Sequence, residues 1–164
     1  MIIKSYEILN NSLNILKYNL FLLYGENEGL KKNIVENIKK VIVDKDSNVE
    51  FITLNEADIL NNGEIFYNTV YSGSLFSKKK ILIIKDTKDK IMKQIKEITS
   101  SYPEDIKIII LSGVLDKKSI LRSFFEKDIK TLAIPCYPDS EKDLEIIASS
   151  EFKKNNIILS RESI

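Results

Sequence analysis

With 164 residues, 43% of them hydrophobic, the chain is long enough to bury the core of one ordinary globular domain and to begin a second. Its 25 Lys+Arg against 24 Asp+Glu leave a net charge of +1, which excludes an overall basic field for non-specific nucleic-acid binding; any DNA contact must come from a local patch. The absence of histidine and the presence of a single cysteine, Cys136, exclude the usual zinc ligand sets, an intramolecular disulfide and any Ser-His-Asp or Cys-His arrangement.

The N-terminal "MIIKSYEILNNSLNILKYNL" lacks the pattern of a secretory signal, and no apolar run approaches the roughly 20 residues that span a bilayer, so a soluble protein of the reducing cytoplasm is expected. Residues 5–17 set Ile8, Leu9, Leu13 and Leu16 at helical spacing, with Ser5 as a candidate cap. "LFLLY" (20–24) is a continuous apolar run stopped by Gly25, the pattern of a strand buried on both faces. The following "EGLKKNIVENIKKVI" repeats Leu30, Ile34, Ile38 and Ile42 every four residues and predicts an amphipathic helix.

The alternation continues with a strand at 49–54, one or two short helices over 56–73, a strand at 80–86, a helix at 88–102, a strand at 106–112, a helix at 117–127 and a strand at 130–135. Five strands alternating with helices predict an α/β fold, a parallel sheet covered on both faces, with ligands expected at the strand C-termini. Pro135 and Pro138 mark a break, after which 139–156 reads as a helix with Ser140 as candidate N-cap and Asp143 three residues on. The expected division is an α/β domain at 1–138 and the beginning of a helical domain at 139–164.

"YGENEGLKKN" has the context of a phosphate loop, G-x-x-x-x-G-K-[ST], between strand and helix. Gly25 takes the first position and Lys31 the lysine position. Leu30 replaces the second glycine, Lys32 replaces the magnesium-binding hydroxyl, and Glu26 and Glu28 bring repelling carboxylates. The expected result is a degenerate, non-functional loop with no nucleotide or metal cofactor, in which Gly25 serves as a strand-ending turn and the two glutamates suit a helix first turn. Asp86 is read as a cap for the helix starting at 88 rather than as a magnesium ligand, Cys136 as an inert small side chain, and Asp143 and Glu145 as part of a solvated face. No catalytic set emerges. The rival reading is a divergent P-loop ATPase using Lys31.

"YSGSLFSKKKILIIK" carries Leu75 and Phe76 between two serines, just beyond Gly73 and before Lys78, Lys79 and Lys80. The plainer reading packs the pair under the preceding helix; the functional one is a projecting wedge that fills an apolar pocket on a partner.

Taken in order, "FLLYGENEGLKKNIVENI", "SGSLFSKKKILIIKD", "IIILSGVLDKKSILRSFFEK" and "YPDSEKDLEIIASSEFKKNNIILSRESI" resemble the delta subunit of bacterial DNA polymerase III, the clamp-loader subunit. The resemblance covers nearly the whole chain but only the N-terminal half of that family's length. It implies an AAA+-like domain followed by a helical lid, no working ATP site, and a partner in the ring-shaped sliding clamp, with other clamp-loader subunits and, only within the assembled loader, DNA. The family's clamp contact, a Leu-Phe pair at a helix end before the third strand, falls on Leu75 and Phe76. Ser74 completes an S-L-F reading similar to clamp-binding peptides, whose upstream polar residue is not matched. Lys78 and Lys79 are expected to meet acidic rim charges. The related delta-prime type carries a cysteine-based zinc module that one cysteine cannot build. Lys117 and Lys118 are either a solvated helix start or a DNA-facing pair.

Overall fold

A computed structural model describes residues 16–46, 48–73, 77, 79–101 and 103–138, with the isolated positions 2, 149 and 152. The expected helices over 5–17 and 139–156, with their caps Ser5 and Ser140, therefore lie almost wholly outside the described residues, as do Ser74, Leu75, Phe76 and Lys78. No helix among the described residues is long and apolar enough to cross a membrane.

The strands are β1 (Leu20–Tyr24), β2 (Val49–Asn55), β3 (Lys79–Thr87), β4 (Ile106–Ser112) and β5 (Thr131–Pro135), and the helices α1 (Glu28–Val43), α2 (Glu56–Asn61), α3 (Gly63–Tyr71), α4 (Met92–Thr99) and α5 (Ile120–Lys127). They form one five-stranded sheet in the order β2-β3-β4-β1-β5, with every pairing parallel.

The two-residue strand period divides the core. Leu20, Leu22, Tyr24, Leu82, Ile84, Ile108 and Ile110 point to one face, where Ile59 of α2, Phe66 and Val70 of α3, Ile95 and Ile98 of α4, and Leu121 and Phe125 of α5 cover them. Phe21, Leu23, Ile81, Ile83, Ile109, Leu132 and Ile134 point to the other, against Ile34, Val35, Ile38 and Ile42 of α1. A parallel strand with both faces covered is apolar throughout, which is why β1 is buried at all five positions.

Four expectations are corrected. The helix expected from 88 opens with a short 3-10 turn at Asp89–Ile91, and the helix expected from 117 begins only at Ile120, after its N-cap Ser119 accepts from the Arg122 amide. Asp86 caps no helix among the described residues: it sits at φ 55° on the exposed side of β3, where the register with β4 shifts between Ile84 and Thr87. The Lys88 amide instead donates 2.8 Å to Glu56 Oε1, and Asp89 serves α5, accepting from Ser119 Oγ at 2.6 Å and the Leu121 amide at 3.0 Å. Finally, the buried stripe of α1 is Lys31, Ile34, Val35, Ile38 and Ile42, while Leu30 is half-buried.

Candidate functional site

The helix that follows β1 covers one face of the sheet and the helix that follows β4 the other, so the adjacent C-terminal ends of β1 and β4 form the crevice where open α/β sheets bind ligands. Gly25 lies in this crevice with φ 133°, a conformation that favours glycine. A Cβ on it would lie 2.1 Å from the carbonyl oxygen of Cys136. A phosphate loop uses glycine so that a phosphate can approach the backbone; here the approaching group is the protein's own chain just past β5.

The loop amides are engaged in the same way. Gly25 N donates to Gly113 O at 3.0 Å, Asn27 N to Cys136 O at 3.0 Å and Lys31 N to Asn27 O at 3.1 Å. Asn27 Oδ1 caps α1 by accepting from the Leu30 amide at 2.9 Å. Cys136 N closes the arrangement by donating 2.7 Å to Tyr24 O.

Lys31, the residue in the phosphate-binding position, is 3% exposed. Its ammonium turns into the crevice and donates to Gly25 O at 3.0 Å, Ser112 O at 2.9 Å and Glu28 Oε1 at 2.5 Å. An ammonium has three protons, and each has an acceptor. A buried charge is tolerated only when so paired, and here it ties the end of β1 to the end of β4. Glu28 is largely solvent-exposed at the other end of that ion pair, and Glu26 is exposed. Around this centre the Cys136 thiol is fully buried, and burial pushes its pKa up to about 12. Burial, followed by the Glu126 carboxylate, raises the pKa of the Tyr24 phenol, whose hydroxyl donates to Glu126 Oε1 at 2.8 Å; Arg122 Nε donates to the same oxygen at 2.8 Å.

The second candidate region lies at the opposite, N-terminal end of the strands, where α3 hands over to β3. Ser74, Leu75, Phe76 and Lys78 lie outside the described residues, but their flanks are fixed. Ser72 N donates 2.8 Å to Asn68 O to close α3; Tyr71, Ser72 and Gly73 are exposed. Beyond the segment, Lys79 pairs with Val49 in the sheet and its ammonium, with the side chain 40% exposed, lies 3.9 Å from Asp46. Between these flanks stands a residue that sequence reasoning misses. Lys80, 3% exposed, donates 2.7 Å to Thr69 O and also to Ser72 O, placing its charge at the negative end of α3. Its signal is its register: positions 80, 82 and 84 share the face that receives α3.

A third surface gathers lysines. A groove of about 550 Å³ between α4 and α5 is lined by Lys96, Lys117, Lys118, Phe124 and Lys127, with Asp128 at one end. None of these four lysines forms an ion pair among the described residues.

The sheet order, with Gly25 turning β1 into α1, makes this an α/β domain of AAA+-like fold. The family model for the DNA polymerase III delta subunit matches residues 21–136, and the chain belongs to that family. A curated relative from Rickettsia prowazekii (strain Madrid E), the probable DNA polymerase III subunit delta, is 27% identical over 150 residues, covering 90% of this chain and 44% of that protein. Among solved structures, the DNA clamp loader delta protein of Bacillus subtilis superposes with a TM-score of 0.65 over 92% of this chain and 48% of that one; at 12% identity this likeness shows the fold. The chain thus spans less than half the length of these relatives.

Proposed function

We propose that this chain binds the DNA polymerase sliding clamp through Leu75 and Phe76 and helps open the ring for loading onto DNA, without itself hydrolysing ATP. The observation that carries the reading is that the family match spans residues 21–136, a range that includes both the Gly25–Lys31 turn and the Ser74–Lys79 segment. The geometry of the flanks supports a projecting wedge: the last turn of α3 is closed from beneath by Lys80, and the residues leading out of it are exposed. Burying one Leu and one Phe in a partner pocket contributes roughly 3–6 kcal/mol before association costs, which suits a transient contact. Lys78 and Lys79 meet acidic rim charges. Ring opening follows if the bound surface fits a distorted clamp interface better than the closed one, a matter of differential affinity.

The inward turn of Lys31 and the engaged amides of Gly25 and Asn27 support the absence of hydrolysis, and energy from ATP enters through other loader subunits. The lysine groove between α4 and α5 supports a DNA contact made only within the assembled loader. Residues 139–164 then begin the lid domain.

Replacing Leu75 and Phe76 together by alanine should abolish capture of the cognate clamp while leaving circular dichroism and melting unchanged; an unfolded double variant means that the pair belongs to the core. Binding of labelled ATP with magnesium at micromolar concentration, lost in Lys31→Ala, would instead establish the ATPase reading.

A further inference from the structure

Two apolar stripes run along α5. Leu121 and Phe125 point into the core and are fully buried. One residue before each of them, Ile120 and Phe124 form a second pair at i, i+4 spacing that the core leaves partly unused. Ile120 is 56% exposed; Phe124 is half-buried, packed against the core with its ring edge-on to that of Phe125 at 5.6 Å. This second pair lines the groove between α4 and α5, and lysines bracket it. Lys117 and Lys118 precede it, Lys127 follows it, and Lys96 comes from α4; all four are exposed, and none is ion-paired among the described residues. The groove thus combines an apolar floor with a cationic rim.

We infer that this groove binds an acidic peptide segment of a partner protein carrying one bulky apolar side chain, which sits on Ile120 and Phe124 while its flanking carboxylates meet Lys96, Lys117 and Lys118. This goes beyond the DNA contact proposed above, which accounts for the lysines and leaves the floor unused. Duplex phosphates need positive charge but no apolar surface, and the aliphatic Ile120 offers an unstacked base no ring to lie on. An apolar anchor flanked by carboxylates uses both halves of the groove: the anchor supplies affinity from burial, the lysines supply attraction and orientation. Asp128 gives the segment a direction. Its carboxylate is held in the turn after α5, where Oδ1 accepts from the Lys130 amide at 2.8 Å, so acidic residues are disfavoured at that end and gather towards Lys117 and Lys118. Peptide and DNA would draw on the same ammonium groups, so each excludes the other. The inference stands apart from the clamp-binding reading.

The test is fluorescence anisotropy of the full chain with a labelled synthetic peptide of four aspartates followed by a C-terminal phenylalanine. It should bind with micromolar affinity, and the same peptide ending in alanine should bind about tenfold more weakly. Ile120→Ser, at an exposed position, should weaken the phenylalanine peptide about fivefold and leave the alanine peptide unchanged. Replacing Lys117 and Lys118 together by glutamine should weaken both peptides, and added salt should do the same. A single-stranded oligothymidylate of equal charge should bind less tightly than the phenylalanine peptide and be indifferent to Ile120→Ser. No binding of the phenylalanine peptide, or equal binding of the two peptides, overturns the inference. Peptide binding untouched by the double lysine change lies elsewhere on the chain and overturns it too. An oligothymidylate that binds at least as tightly and loses affinity in Ile120→Ser assigns the floor to nucleic acid instead. If Ile120→Ser does not fold, the comparison of the two peptides on the parent protein decides alone.

Discussion

The Nζ of Lys31 lies 2.9 Å from the carbonyl oxygen of Ser112, a residue 81 positions away at the end of β4. Together with Gly25 O at 3.0 Å, this makes a lysine the cross-brace between β1 and β4. Lys31→Met keeps the volume and removes the donors, leaving two buried carbonyls unsatisfied. We expect a loss of about 2–4 kcal/mol in urea unfolding, with clamp affinity of the folded protein unchanged.

Gly25 admits no side chain. Gly25→Ala sets a Cβ at 2.1 Å from Cys136 O in a backbone conformation at φ 133° that L residues rarely adopt. The backbone of two strand ends must move to relieve it, so destabilisation of about 4 kcal/mol or more is expected, seen as a fall in denaturant midpoint or as failure to accumulate folded protein.

Cys136 should report opening of the fold. With its thiol buried and its pKa pushed up to about 12, iodoacetamide should modify it only as fast as the protein unfolds, so the labelling rate should rise with urea in step with global unfolding. The same shift has a pH signature. A thiol ionises in the unfolded chain near pH 9 but in the folded one near 12, so its contribution to stability is complete below pH 9 and is lost as pH rises from 9 towards 12. The difference in stability between the parent and Cys136→Ala should show this slope. Lys107 acts in the opposite sense. Burial, then nearby Lys79, lowers its pKa from 10.5 to about 8, so the unfolded chain binds the extra proton and stability gained through Lys107 rises between pH 8 and 10.5. Lys107→Met removes that rise.

The lysine groove makes a separable prediction. Reversing Lys117, Lys118 and Lys127 to glutamate should weaken retention of DNA by the assembled loader and flatten its salt dependence, by about 0.9 in the slope of log K against log salt for each duplex phosphate that is no longer neutralised. Clamp capture by the chain alone should be unaffected.

The parallel sheet was legible because its signals are local: an apolar run ended by Gly25, then helical periodicity, repeated along the chain. The β1, β4 and α1 boundaries follow closely from residue type. Asp86 does not cap the helix because a partner 32 residues from Lys88, Glu56, takes the helix entry, and no local pattern carries that pairing. Lysines were the larger blind spot. Lys31 is on the buried stripe of α1 and Lys80 on the inward face of β3, positions that periodicity alone identifies, yet a charged residue is ordinarily assigned to solvent. What turns each inward is a pair of backbone carbonyls at strand or helix ends, visible only once the elements are assembled. Gly25 shows the same limit: its type marks a strand-ending turn, but that the Cys136 carbonyl approaches it closely is a tertiary fact.

The carbonyl of Cys136 and the ammonium of Lys31 are braces attached by peptide bonds to the strand ends they hold. Their effective concentration is set by the chain and does not fall when the solution is diluted. Dialysis against nucleotide-free buffer removes neither. On this view the sheet end carries its own brace, supplied by residues that folding alone delivers to it.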